Sequence, residues 1–193
     1  MEQQPNHYLE ALREPRPGRH LRNAMDLWQK AGRVVIAQRP RLNTKHVMAA
    51  RMSEKVLGDV WWSVAVNSTL GQEEKVEKAL VLWLNSTLGI LLLLGLREET
   101  QGAWVQFKKP VLGAMPVLDV RQLSAQRRQS LVEAYDRLAT ARLRPFPAID
   151  NDRTRTAIDH AITTALQVPD VRVLRRLLAR EPILCQTIDR LNG

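Results

Sequence analysis

Gln38, Arg39, Arg41, Asn43, Thr44 and Lys45 crowd into one short stretch around Pro40. These residue types suit contact with nucleic acid. Arg and Lys neutralise phosphates, Arg matches the acceptor edge of guanine, and Asn and Gln match adenine. Thr100, Gln101, Gln106, Lys108 and Lys109 form a second such group, and Arg51 extends the first. Two groups on loops of one small sheet would converge on a groove. The plainer reading is that short polar loops are common and each residue, taken singly, is a bystander.

Chemistry of other kinds has little to work with. The glycine-rich phosphate loops GxxxxGK[ST] and GxGxxG are absent, as are HExxH, GxSxG and CxxC. The four histidines (His7, His20, His46, His160) are scattered, and Cys185 is the one cysteine, so a metal centre and a disulfide framework are both unexpected. No histidine is placed by sequence to activate Cys185, which reads as an incidental thiol. No carboxylate pair stands out for acid–base work. The sequence therefore predicts no catalytic residue, no metal and no cofactor.

Charge supports the nucleic-acid reading. Among 193 residues, 29 Lys and Arg face 20 Asp and Glu, a net +9, and 22 of the cations are arginines. Arginine richness fits phosphate binding or, equally, a GC-rich coding sequence. The excess is uneven: +5 over 1–60, −1 over 61–120 and +5 over 121–193. The densest stretch, 16–51, holds Arg16, Arg19, Arg22, Lys30, Arg33, Arg39, Arg41, Lys45 and Arg51 against one carboxylate, Asp26. Such a stretch is a phosphate-facing surface or a solvated face balanced by neighbours.

The elements that must position these groups are legible in outline. Residues 1–22 read as an irregular lead-in, and 23–31 as a short helix stopped by Gly32. The stretches 33–38, 46–52 and 59–66 read as strands, separated by turn residues. A long apolar helix is predicted over 72–96, opened by Glu73, Glu74 and Glu77. Its length approaches a membrane span, but Asn85, Ser86 and Thr87 interrupt it. It therefore reads as a core helix, or as two helices broken near Gly89. NSTLG occurs at 67–71 and again at 85–89, the first copy read as a turn and the second as helical. A strand over 103–108, a helical turn over 111–115 and helices over 125–143, 153–166 and 169–180 complete the chain, with Ser124 and Asp152 as N-caps.

At this point the residues resemble a family. WWSVAV, then EKALVLWLNSTLGILLLLG, then GAWVQFKKPVLGAMPVLDV are similar to the target-recognition region that follows the catalytic domain of N-6 adenine DNA methylases. That region runs through strands, an apolar helix carrying Leu84, Asn85 and Ser86, a polar loop, a lysine-bearing strand, and a turn matched here by Met115, Pro116, Val117, Leu118 and Asp119. The likeness covers about residues 20–185. The resemblance implies duplex DNA as partner, and a catalytic methylase subunit that carries the S-adenosylmethionine site. The chain departs from the enzymes themselves: it has no glycine-rich cofactor motif and no Pro-Pro dipeptide. It is therefore expected not to be an enzyme on its own. For Asn85 and Ser86 two readings stand, DNA contact or a polar pin where helix meets sheet, and the pin is preferred.

The sequence thus predicts an α+β fold: a small, mostly antiparallel sheet packed on a long apolar helix, with a helical C-terminal layer. The expected division is a lead-in over 1–22, a recognition-like domain over 23–147 and a helical tail over 148–193. The expected function is a DNA-recognition module of restriction–modification or phage-defence type. Its contacts would be Gln38, Arg39, Arg41, Asn43, Thr44, Lys45, Arg51, Gln106, Lys108 and Lys109. The alternative is a protein-interaction module that docks on a catalytic methylase or other defence subunit without touching DNA. A polar, Pro-rich start predicts a cytoplasmic chain with no membrane partner.

Overall fold

The structure is a computed structural model that describes residues 14, 17–66, 72–99 and 104–185. The first NSTLG copy, Thr100, Gln101 and most of the lead-in lie outside these residues, and so does the side chain of Cys185. The fold is α+β. Helix α1 (Ala24–Trp28) precedes strands β1 (Gly32–Ala37), β2 (Ala49–Val56) and β3 (Trp61–Val64). Helices α2 (Glu73–Asn85) and α3 (Thr87–Gly95) follow, then β4 (Glu98–Glu99), β5 (Val105–Gln106) and α4 (Lys109–Gly113). The C-terminal layer holds α5 (Ala125–Leu138), α6 (Arg153–Leu166), α7 (Arg172–Leu178) and α8 (Pro182–Cys185).

β1 is central in the order β2-β1-β3, and both pairings are antiparallel. A strand covered on both faces reads as a continuous apolar run, which is why RVVIA shows no alternation. Val34 and Ile36 face the core under α2, while Val35 and Ala37 lie on the other face, opposite Ser63 and Trp61. β2 starts at Ala49 rather than at 46, because Asn85 and Arg155 hold the backbone at 46–48 from below. Gly32 is required at its position: a Cβ there would lie 2.1 Å from the backbone oxygen of Val64. Gly32→Ala should therefore push β3 from β1 and cost about 1–3 kcal/mol, read by urea unfolding.

The expected helix over 72–96 is two helices bent by 71°, broken at Ser86 rather than at Gly89. Ser86 is extended (φ −74°, ψ 162°), and its hydroxyl accepts from Gly89 N at 3.1 Å, as an N-cap does. Gly89 lets the second helix approach the end of the first, since a Cβ there would sit 2.0 Å from Trp83 O. Among the described residues no single helix is long and apolar enough to cross a membrane. The apolar residues of the pair instead join the core, with Leu84, Ile90 and Leu93 fully buried.

α5 ends at Leu138, five residues short of expectation, because 139–142 turn out to solvent before Pro145. Its inward side is Leu131, Val132 and Ala134, with Tyr135 and Leu138 half-buried. Ser124 and Asp152 cap as expected, accepting from Arg127 N and Arg155 N. The helices after 148 do more than cover the surface, because Ile158, Ile162, Leu178 and Leu184 belong to the same core as β1 and α2. Two 3-10 turns, Val120–Gln122 and Phe146–Asn151, carry no clear periodicity and escaped the sequence reading.

The aspartate of the MPVLD turn has a local task. Asp119 caps the first of these turns and takes a two-pronged grip from the Arg121 guanidinium, at 2.8 and 2.9 Å. That grip holds its carboxyl well below the usual carboxylate range, at about 2. A depressed carboxylate stabilises the fold above its unfolded pKa of about 4, and that contribution is lost as pH falls toward 2. Acid titration of stability should show wild type and Asp119→Asn converging between those pH values.

Candidate nucleic-acid interface

The chain leaving β1 does not become a free loop. It forms an additional strand-like edge against β5. Val105 N donates to Pro40 O at 3.1 Å and Phe107 N donates to Gln38 O at 2.9 Å, while Arg41 and Trp104 are antiparallel partners. In this register the hydrogen-bonded pairs are Pro40/Val105 and Gln38/Phe107. The pairs that alternate with them, Arg39/Gln106 and Arg41/Trp104, are non-hydrogen-bonded and bring side chains to about 5 Å on one face. Burial follows the same alternation: Val105, Phe107, Pro40 and Leu42 are buried, whereas Arg39, Trp104 and Lys108 are exposed and Arg41 and Gln106 half-buried. The two sequence groups therefore meet on one outward face.

The face adjoins the end of β3, where Trp61 pairs with Ala37, while on β1 itself Val35 and Ala37 are buried and the chain bends at 38–39. Lys45 Nζ stands 4.1 Å from the centre of the Trp61 ring, a cation–π contact. Desolvation there lowers the ammonium below its ordinary pKa. Trp62 Nε1 donates to Phe107 O at 2.8 Å, tying β3 to the same edge. Among the described residues no carboxylate forms an ion pair with Arg39, Arg41 or Lys45. Lys108 is partly neutralised by Glu98, at 2.9 Å, and Lys109 is exposed at the start of α4. Thr44 donates to Arg41 O within the turn, and Asn43 is half-buried beside it.

Arg51 does not belong with this set. It pairs with Val34, whose side chain faces the core, so Arg51 points to the α2 side of the sheet. There its guanidinium meets Glu77 at 2.8 Å and Glu74 at 3.6 Å. Lys78 extends the network from Glu74 to Asp136 on α5. Three elements are joined, and the charge of Arg51 is spent inside the molecule. Arg19, Arg22 and Lys30 are exposed around α1, with no hydrogen bond or ion pair tying them to the 38–45 segment.

Buried polar groups hold the segment from beneath. Asn85 Oδ1 accepts from Met48 N at 2.9 Å and Ala49 N at 3.4 Å, and its amide donates to Ala49 O at 2.7 Å and Val81 O at 2.9 Å. The helix thus closes onto β2 through one side chain. Arg155, with no exposed side-chain surface, donates to His46 O at 2.9 Å and to Asn85 O. Burial pushes its guanidinium down to about 10, so it remains charged at neutral pH. Phe146 N donates to Lys45 O at 3.0 Å. With Leu42 sunk in the core, residues 42–49 are fixed at several points, which leaves the side chains of Arg39, Arg41 and Lys45 on a preorganised backbone.

Sequence reading found the cations and missed the aromatic component. Trp104 is 42% exposed and stands across from Arg41. Its signal is the alternation Trp104, Gln106, Lys108 within the strand expected over 103–108. Among the described residues no group of His, Cys, Asp or Glu side chains is placed to hold a metal ion. No family model matches the chain. No curated protein and no solved structure matches it either.

Proposed function

We propose that the chain is a DNA-recognition module, comparable to the target-recognition regions it resembles in sequence, and that it leaves methyl transfer to a separate catalytic subunit. The observation that carries this reading is the register between 38–41 and β5. It sets Arg39, Arg41, Gln106 and Trp104 on one outward face, with Lys45 on Trp61 beside them. Arginines and lysines there anchor phosphates, and Gln106, opposite Arg39, offers a paired donor and acceptor to a base edge. Labelled duplex should bind the purified chain at low salt, measured by fluorescence anisotropy. With three or four phosphates neutralised, the slope of log K against log salt should be about −3 to −4. No binding at low salt would contradict the proposal.

A second reading has its own observation. α7 turns Val173, Leu174 and Leu177 outward, with Val173 65% and Leu177 59% exposed. A short helix carrying three exposed aliphatic side chains suits docking on another protein, and a catalytic methylase subunit is the partner the resemblance implies. Replacing Val173 and Leu177 together by Ser should then weaken co-purification with that subunit and leave duplex affinity unchanged.

A further inference from the structure

The C-terminal layer carries a basic patch that no acid answers. Arg142 and Arg144 lie on an extended run before Pro145. Alternation along such a run puts them on one side and Leu143, which packs against the core, on the other. Arg153 opens α6, and the hydroxyl of Thr154 beside it donates to Arg142 O at 3.0 Å, which draws the three arginines together. All three are exposed, and none forms an ion pair with a described residue. The two carboxylates of this stretch are engaged elsewhere. Asp152 is buried and accepts from Arg144 N at 2.8 Å and from Arg155 N at 3.1 Å, and Asp150 turns to Arg176 at 3.9 Å. The first turn of α6 holds no acidic residue, although the helix dipole disfavours a cation such as Arg153 there. Cations gathered in this way stabilise nothing within the fold and attract an anion from outside. The patch is also tied to the 38–45 segment. Phe146 N donates to Lys45 O at 3.0 Å, and Arg155 donates to His46 O at 2.9 Å. Arg144 stands two residues before Phe146, about 7 Å of extended chain.

We propose that Arg142, Arg144 and Arg153 form a second phosphate-binding surface, so that one duplex runs from Arg39 and Arg41, past Lys45, onto the C-terminal layer. A guanidinium fork matches a phosphate, and a duplex presents phosphates in series. Three arginines spread over an exposed surface suit such a row better than they suit one small anion. Phosphate contacts fix register and orientation but carry no sequence information, so this surface adds affinity without base preference. The helical tail then belongs to the DNA-binding unit itself. This inference rests on the nucleic-acid reading above and extends it from the sheet edge to the C-terminal layer.

The test is the salt dependence of binding to a fluorescein-labelled duplex, by anisotropy. It compares wild type, the combined variant Arg142→Ala, Arg144→Ala and Arg153→Ala, and the variant with Lys at the same three positions. With about six phosphates neutralised rather than three or four, the wild-type slope of log K against log salt should be about −5 to −6. The alanine variant should bind about tenfold or more weakly at low salt, with a slope shallower by about 3. The lysine variant keeps the charges and should recover most of the affinity. The melting temperature of the alanine variant should not fall, because the three side chains make no hydrogen bond or ion pair with a described residue. A wild-type slope of about −3 to −4 that the alanine substitutions leave unchanged would overturn the second surface while the sheet-edge reading stands. Lost affinity that lysine does not restore, or a lowered melting temperature, would mark a structural role and overturn it too. If wild type binds no duplex even at low salt, both the surface and the reading beneath it fall.

Discussion

Asn85→Leu should lower the unfolding free energy by roughly 3–5 kcal/mol, and the melting temperature by about 10 °C, although leucine fills much of the same space. The loss arises in the partners left behind. Met48 N and Ala49 O would be stranded in the core, each at a cost of about 1–3 kcal/mol, and Ala49 N would lose its weaker contact. Asn85 also bridges elements distant in sequence, so its removal frees β2 from α2 at the point where 46–49 turns into the strand. Affinity for nucleic acid should fall as well, because the backbone that orients Lys45 is anchored three residues away, at Met48. Chemical denaturation measures the first effect and anisotropy the second. A cost below about 1 kcal/mol would show that β2 finds other partners and that Asn85 is not the pin described.

Asp159→Ala should be comparably damaging, for an electrostatic reason. Asp159 Oδ2 meets Arg175 Nη1 at 2.7 Å, with both side chains about 5% exposed. The same carboxylate accepts from Thr87 N and from the Thr87 hydroxyl, both at 2.7 Å, at the first turn of α3. Removing it strands a guanidinium in the core and leaves the Thr87 N–H and hydroxyl without their acceptor, an expected loss of about 3–5 kcal/mol. Adding Arg175→Met should restore part of that loss, because the buried charge goes with its partner. A double-mutant cycle by urea unfolding measures the coupling, and additive losses would contradict direct pairing.

These residues also mark how far the sequence could be read. The α+β class, the three antiparallel strands, the caps at Ser124 and Asp152 and the role of Asn85 followed from local chemistry: β-branched runs, capping geometry, and a lone amide in an apolar helix. The break at Ser86 was half visible, since NST interrupts the apolar run, but its place depends on how closely α3 approaches Trp83. Arg51 was misplaced among the contact residues for want of one parity. Whether it faces α2 or solvent depends on pairing with Val34, which no local pattern reveals. Pairing likewise brought 38–41 to β5, across more than sixty intervening residues. The buried partners within the core, Arg155 with the His46 carbonyl and Asp159 with Arg175, are long-range contacts and left no trace in spacing.

The central claim is that the outward face of the sheet edge meets phosphates. The most direct measurement is the salt dependence of duplex affinity for wild type and for the combined variant Arg39→Ala, Arg41→Ala and Lys45→Ala. None of the three makes an ion pair with a described residue, so the variant should fold. If these cations neutralise phosphates, affinity falls by about a hundredfold at low salt, and the slope of log K against log salt becomes shallower by about 3. A variant that binds with the wild-type slope would place the phosphate contacts elsewhere and contradict the account.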